Sequence, residues 1–122
     1  MEYQLGTSIV NTDLGKIEYD DSILLSIINL STKEIEGVTC LKDNFSHFAK
    51  RWFSGKYYDG VKVVKDGESY TIDIYIEVDS TNPISEIAYR IQENVKNGIS
   101  YMMDIIIKAI NIHVVSVKFS DV

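Results

Sequence analysis

The sequence predicts an α+β domain, a two-layer sandwich in which a mixed β-sheet carries two long helices packed on one face. Three observations carry this expectation. Residues 22–36 and 83–98 each place apolar side chains at helical spacing along one stripe. Residues 70–78 alternate apolar and polar, as a strand does when only one of its faces is buried. The elements follow the order β-α-β-(α)-β-β-α-β, and two layers bury every apolar face with the fewest elements. At 122 residues the chain has the length of a single domain, 1–122. Within it we distinguish a body at about 14–119, an N-terminal arm at 1–13 and an insert at 42–59.

The arm is polar with scattered apolar residues and reads as a weakly docked segment. Gly15 to Tyr19 (GKIEY) reads as a short strand, with Ile17 and Tyr19 on one side. Asp20 or Asp21 then offers a carboxylate to cap a helix. That helix is expected to run to about Glu36 through Ile23, Leu24, Ile27, Ile28 and Leu30, and Gly37 suits the left-handed position after its end. Val38 to Leu41 reads as a second strand. The insert, KDNFSHFAKRWFSGKYYD, mixes six aromatic residues with cations, and a short amphipathic helix from Asn44 to Phe53 fits its pattern.

Val61 to Val64 and Tyr70 to Val78 flank Asp66-Gly67, a dipeptide suited to a tight hairpin. In the second strand Tyr70, Ile72, Ile74, Ile76 and Val78 share one face, and Thr71, Asp73, Tyr75 and Glu77 the other. Asn82-Pro83 is expected to open the second long helix, with Asn82 as its cap. Its buried stripe is Ile84, Ile87, Ala88, Ile91 and Val95, and Gly98 is expected to end or bend it. In the last strand, Ile105 to Phe119, the apolar phase switches from odd to even positions, which fits either a bulge near Lys108–Ala109, the favoured reading, or a central strand buried on both faces.

The net charge of −6 argues against general binding to nucleic acid or anionic lipid, which needs clustered cations. The charge is uneven: residues 37–65 carry a net +4, and the segments on either side carry −5 each. One cysteine excludes an internal disulfide and a cysteine-built zinc site. The longest apolar run, Ser22 to Leu30, is far too short to span a bilayer. The N-terminus lacks the basic start and apolar stretch of a secretory signal, so the protein is read as cytoplasmic.

No constellation for catalysis, cofactor or metal emerges. There is no glycine-rich phosphate loop. Cys40 reads as a structural thiol, and His47 and His113 lack ligand spacing. Asp73 and Glu77 share a strand face, but four strand residues span about 13 Å, too far for two carboxylates to cooperate. An enzyme built on Asp73, Glu77 or His113 is therefore disfavoured. The insert is the strongest functional feature, because aromatic and arginine side chains dominate interface hot spots, although Phe48, Trp52 and Phe53 fit a local mini-core under the loop equally well. Lys50, Arg51, Trp52, Lys56, Tyr57 and Tyr58 are the candidate partner-binding residues. An alternative reading makes the same insert a small RNA-binding surface, in which aromatics stack on bases and cations meet phosphates.

Several stretches resemble the alkaline shock protein family, the envelope stress response proteins of Gram-positive bacteria. They are LGKIEYDDSI (Leu14 to Ile23), EIEGV (Glu34 to Val38), DGVKV (Asp59 to Val63), IDIYIEV (Ile72 to Val78), IAYRIQENVKNGI (Ile87 to Ile99) and INIHVVSV (Ile110 to Val117). The resemblance implies a small non-enzymatic α+β domain that acts in cell-envelope homeostasis as a scaffold or adaptor. It implies a protein partner, membrane-embedded in some members and holding them near the membrane, and self-association in others. It carries over no catalytic residue. The aromatic, basic insert departs from the family's often glycine-rich segment.

Overall fold

The computed structural model describes residues 7–20, 22–41, 56–58 and 60–119. Nine elements follow in order: β1 (Thr7–Thr12), β2 (Gly15–Asp20), α1 (Ser22–Lys33), β3 (Val38–Leu41), β4 (Lys56–Tyr58), β5 (Val61–Asp66), β6 (Ser69–Asp79), α2 (Ile84–Met102) and β7 (Ile106–Lys118). The helix expected over Asn44–Phe53 lies outside the described residues.

The main sheet is built on β6. Strand β7 runs parallel to it from Ser69 to Asp79 and fills one edge. Strands β5 and β3 share the other edge end to end: β5 pairs antiparallel along Ser69–Ile74, and β3 along Ile76–Val78. Strand β4 extends the sheet beyond β5. The mixed sheet and its two helices are the expected α+β architecture.

Alternation in β6 sets the layers. Tyr70, Ile72, Ile74, Ile76 and Val78 are buried, with Val61 and Val63 of β5 beside them. Leu24, Leu25, Ile27 and Ile28 of α1 and Ile87, Ile91, Val95 and Ile99 of α2 complete the core. Each fully buried Ile or Leu contributes about 1.5–3 kcal/mol relative to exposure, so this layer holds the fold.

Strand β7 contains the expected bulge and one more. The pairing steps from Tyr70↔Ile107 to Thr71↔Ala109, leaving Lys108 extra, and from Ile76↔Val114 to Glu77↔Ser116, leaving Val115 extra. Each added residue shifts the side-chain phase by one. That shift keeps Ile107, then Ile110, Ile112 and Val114, and finally Val117 against the core.

Local chemistry explains the helix ends. The Ser22 amide donates to Asp20 Oδ1 at 2.9 Å, so the Asp20 carboxylate satisfies a free amide in the first turn of α1. Helix α1 stops at Lys33, three residues before the expected end, and Gly37 adopts φ 102°. Asn94 on α2 donates to the Ser31 carbonyl at 2.7 Å and to Glu34 Oε1 at 3.2 Å, satisfying a last-turn acceptor of α1 from the neighbouring helix.

Three expectations for α2 are corrected, the first being the buried stripe, since Ile84 is 46% exposed in the first turn of the helix. Pro83, not Asn82, holds the cap position, and its carbonyl accepts the amides of Glu86 and Ile87 at 3.1 Å. The Asn82 side chain instead donates to Thr81 Oγ1. Gly98 does not end α2, which continues to Met102. A Cβ at Gly98 would lie 2.7 Å from Ser31 Oγ and 3.4 Å from Ile27 Cγ2. Gly98 is therefore a point of close approach between α2 and α1, and packing between the helices offsets its poor helix propensity.

Residues 7–12, within the expected arm, form β1 and pair antiparallel with β2 from Thr7↔Asp20 to Thr12↔Gly15. Thr12 Oγ1 accepts the Leu14 amide and donates to the Gly15 carbonyl, both at 3.2 Å, which fixes the turn. This hairpin is a separate two-stranded sheet among the described residues.

Candidate functional site

The face of the sheet turned away from the helices gathers several chemistry-bearing side chains of the described residues. Asp73 and Glu77 come from β6, and Asn111, His113 and Ser116 from β7. Asp73 Oδ1 lies 2.8 Å from His113 Nε2 and accepts from Asn111 Nδ2 at 3.1 Å. Tyr75 stacks on the His113 ring, with centroids 4.4 Å apart and planes 13° from parallel. Partial burial, and after it the Asp73 carboxylate, push the Tyr75 phenol above its ordinary value of 10.0. Glu77 is engaged separately: Ser116 Oγ donates to its Oε2 at 2.6 Å and Thr39 Oγ1 to its Oε1 at 2.8 Å.

Each carboxylate thus has its own partners, and the two form no common centre. None of these residues lines the groove between α2 and β7. Among the described residues no group of three or more His, Cys, Asp or Glu can hold a metal ion. The Asp73–His113 pair was not legible from spacing within either strand. The signal is the parallel register, which sets Asp73 beside Asn111 and Tyr75 beside His113.

Of the candidate partner-binding residues, Lys50, Arg51 and Trp52 lie outside the described residues, as does His47. Lys56, Tyr57 and Tyr58 form β4, in register with Val63, Lys62 and Val61, and only their backbone is described. Cys40 lies in β3, in register with Glu77, and likewise only its backbone is described.

Two surface features went unnoticed in the sequence. The first is an open groove of about 430 Å³ between α2 and β7, lined in part by Tyr89, Lys96, Ile107, Lys108, Ala109 and Ile110. Beside it Gln92 Nε2 donates to the Ile110 carbonyl at 2.9 Å, tying the helix to the strand. The second is the β1–β2 hairpin, which exposes Ile9, Val10 and Ile17 by about half and Leu14 entirely. Among the described residues no helix is long and apolar enough to cross a membrane.

Fold and site together define a small α+β sandwich whose polar side chains on the outer sheet face are paired with one another. The chain belongs to the alkaline shock protein 23 family, described by its cell envelope-related function, whose sequence model matches residues 9–119. It is 31% identical over 110 residues to YqhY of Bacillus subtilis (strain 168), covering 89% of this chain and 82% of that one. It is 28% identical over 115 residues to Spy1614 of Streptococcus pyogenes serotype M6, covering 89% and 93%. Among solved structures, a variant of the MamM CTD aligns over 82% of this chain and 98% of its own, at 15% identity and a TM-score of 0.46.

Proposed function

We propose that this chain is a non-enzymatic scaffold or adaptor in cell-envelope homeostasis, acting through protein–protein contacts that include self-association. The observation that supports this reading most directly is the pairing of Asp73 with His113 and Asn111, and of Glu77 with Ser116 and Thr39. General acid–base or nucleophilic chemistry needs such groups to converge on a shared point in a concave site. Here they are spent on each other, on a sheet face, away from the groove. The exposed apolar side chains of the hairpin point the same way, because clustered apolar exposure marks interaction surfaces.

In this reading the protein acts in the cytoplasm and is held near the membrane by a membrane-embedded partner. Lys50, Arg51, Trp52, Lys56, Tyr57 and Tyr58 supply the contact, since aromatic and arginine side chains bury large area with few rotors. The test passes solubilised membranes of the protein's own cells over the immobilised chain, with a Trp52→Ala/Arg51→Glu variant as control. A membrane protein held by the wild type and lost by the variant supports the reading. Equal capture by both removes the insert from it.

A further inference from the structure

We propose that the tip of the β1–β2 hairpin, Asp13–Leu14, docks in the groove between α2 and β7 of a second copy of this chain, joining copies head to tail. The inference deepens the interaction reading above and rests on it.

An isolated two-stranded hairpin is marginal in water. This one pairs with no other strand among the described residues, and it exposes Ile9 by 53%, Val10 by 48%, Ile17 by 55% and Leu14 by 100%. Its base borders a hollow that Tyr19 lines together with Tyr70, Asp104, Ile105 and Ile106. A surface of this kind is stabilised by being covered.

The α2/β7 groove fits the tip in shape and charge. Ile107, Ala109 and Ile110 give it a half-buried apolar lining, and Tyr89, 60% exposed, adds an aromatic side. Leu14 meets that surface. The lining carries Lys96 and Lys108 against one carboxylate, Glu93, while the hairpin carries Asp13, Glu18 and Asp20 against Lys16. The hairpin is thus net acidic and the groove net basic, and Asp13 comes to face Lys108 and Lys96.

The chain's own groove is the wrong partner. Ile107, where that groove begins, adjoins Ile106 in the hollow that the hairpin base borders. Five strand residues separate Tyr19 from Leu14, about 17 Å of extended chain. The tip does not occupy the groove of its own chain, since Leu14 is entirely exposed and lies outside the groove lining. Where one hairpin of a pair docks, the contact is heterologous, and the pair keeps one free hairpin and one free groove for further copies.

The test is sedimentation of the full chain over a wide concentration range, with circular dichroism to confirm folding. The wild type is expected to associate into dimers and longer species. Leu14→Glu and Lys108→Glu, each at an exposed position, are each expected to weaken association by about 30-fold, as loss of a hot spot does. Asp13→Lys is expected to weaken it too, and combining it with Lys108→Glu in one chain is expected to restore association. Leu14→Glu mixed with Lys108→Glu retains one intact groove and one intact hairpin, so the mixture is expected to give one-to-one dimers and nothing longer.

A monomeric wild type overturns the proposal, as does a Leu14→Glu variant that associates as well as the wild type. Failure of the charge exchange to restore association also overturns it. A monomeric wild type that still captures a Trp52-dependent membrane protein overturns this interface and leaves the adaptor reading standing.

Discussion

Nε2 of His113 lies 2.8 Å from Oδ1 of Asp73 across two parallel strands, although the two are not register partners. Asp73 stands beside Asn111 and His113 beside Tyr75, so the imidazole stacks on its neighbour and reaches diagonally for the carboxylate. The His113 side chain is 41% exposed, so solvent screens the pair. A double-mutant cycle with Asp73→Ala and His113→Ala should give a coupling of about 0.5–1 kcal/mol, read from urea unfolding. A coupling several times larger would mean that the pair is far better shielded than this geometry allows.

Tyr75 should shape the alkaline limb of stability. Its phenol is held above 10.0 in the fold, by burial first and Asp73 second. The folded chain therefore keeps this proton to higher pH than the unfolded chain does. The resulting stabilisation is complete below the unfolded value of about 10 and is lost as pH rises through the folded value. Tyr75→Phe should flatten the fall in urea midpoint above pH 10, and identical slopes in the two proteins would contradict the assignment.

Asp79 should act at the other end of the scale. Hydrogen bonds from the Thr81 hydroxyl, and then from its amide, hold the Asp79 carboxyl below its ordinary 3.8. Stabilisation from this turn is present above that value and lost as pH falls through the lowered one. Thr81→Ala removes the larger cause, so the carboxyl carbon of Asp79 should titrate at higher pH in NMR than it does in the wild type. An unchanged titration would remove the hydroxyl from the account.

Gly98 offers a test of sign. Alanine favours helix over glycine by about 1 kcal/mol, but a Cβ here would lie 2.7 Å from Ser31 Oγ. Gly98→Ala alone should therefore gain little or lose stability. In a Ser31→Ala background, where the nearest atoms left are Ile27 Cγ2 at 3.4 Å and the Cβ of residue 31 at 3.9 Å, the same change should stabilise by about 0.5–1 kcal/mol. Equal effects in both backgrounds would show that the hydroxyl simply turns away.

Body and hairpin should respond differently to truncation. Ile91 is fully buried, and Ile91→Ala should cost about 2–5 kcal/mol. Ile17 is 55% exposed, and Ile17→Ala should stay within about 0.5 kcal/mol in dilute protein. Urea midpoints compare the two. A large loss at Ile17 would place the hairpin in the cooperative body.

Several features were legible in the sequence because they depend on which face of an element is buried, and side-chain periodicity records that directly. The alternation of Tyr70 to Val78 marked the core face of β6, and the stripe of Ile87, Ile91 and Val95 marked that of α2. The phase switch after Ile107 marked a bulge at Lys108. The second bulge, at Val115, escaped notice because Val114, Val115 and Val117 are all apolar and hide the change of phase.

The rest was decided by contacts between residues far apart in the chain. Asp73 and His113 are 40 residues apart, and only the parallel register of β6 and β7 brings them together. Gly98 read locally as a helix breaker, and only the approach of α1 turned it into a packing site. The groove between α2 and β7 and the exposed tip of the hairpin are likewise products of docking. Periodicity tells each segment which side to bury. It does not say against which partner or in which register, because that choice belongs to the assembled layers.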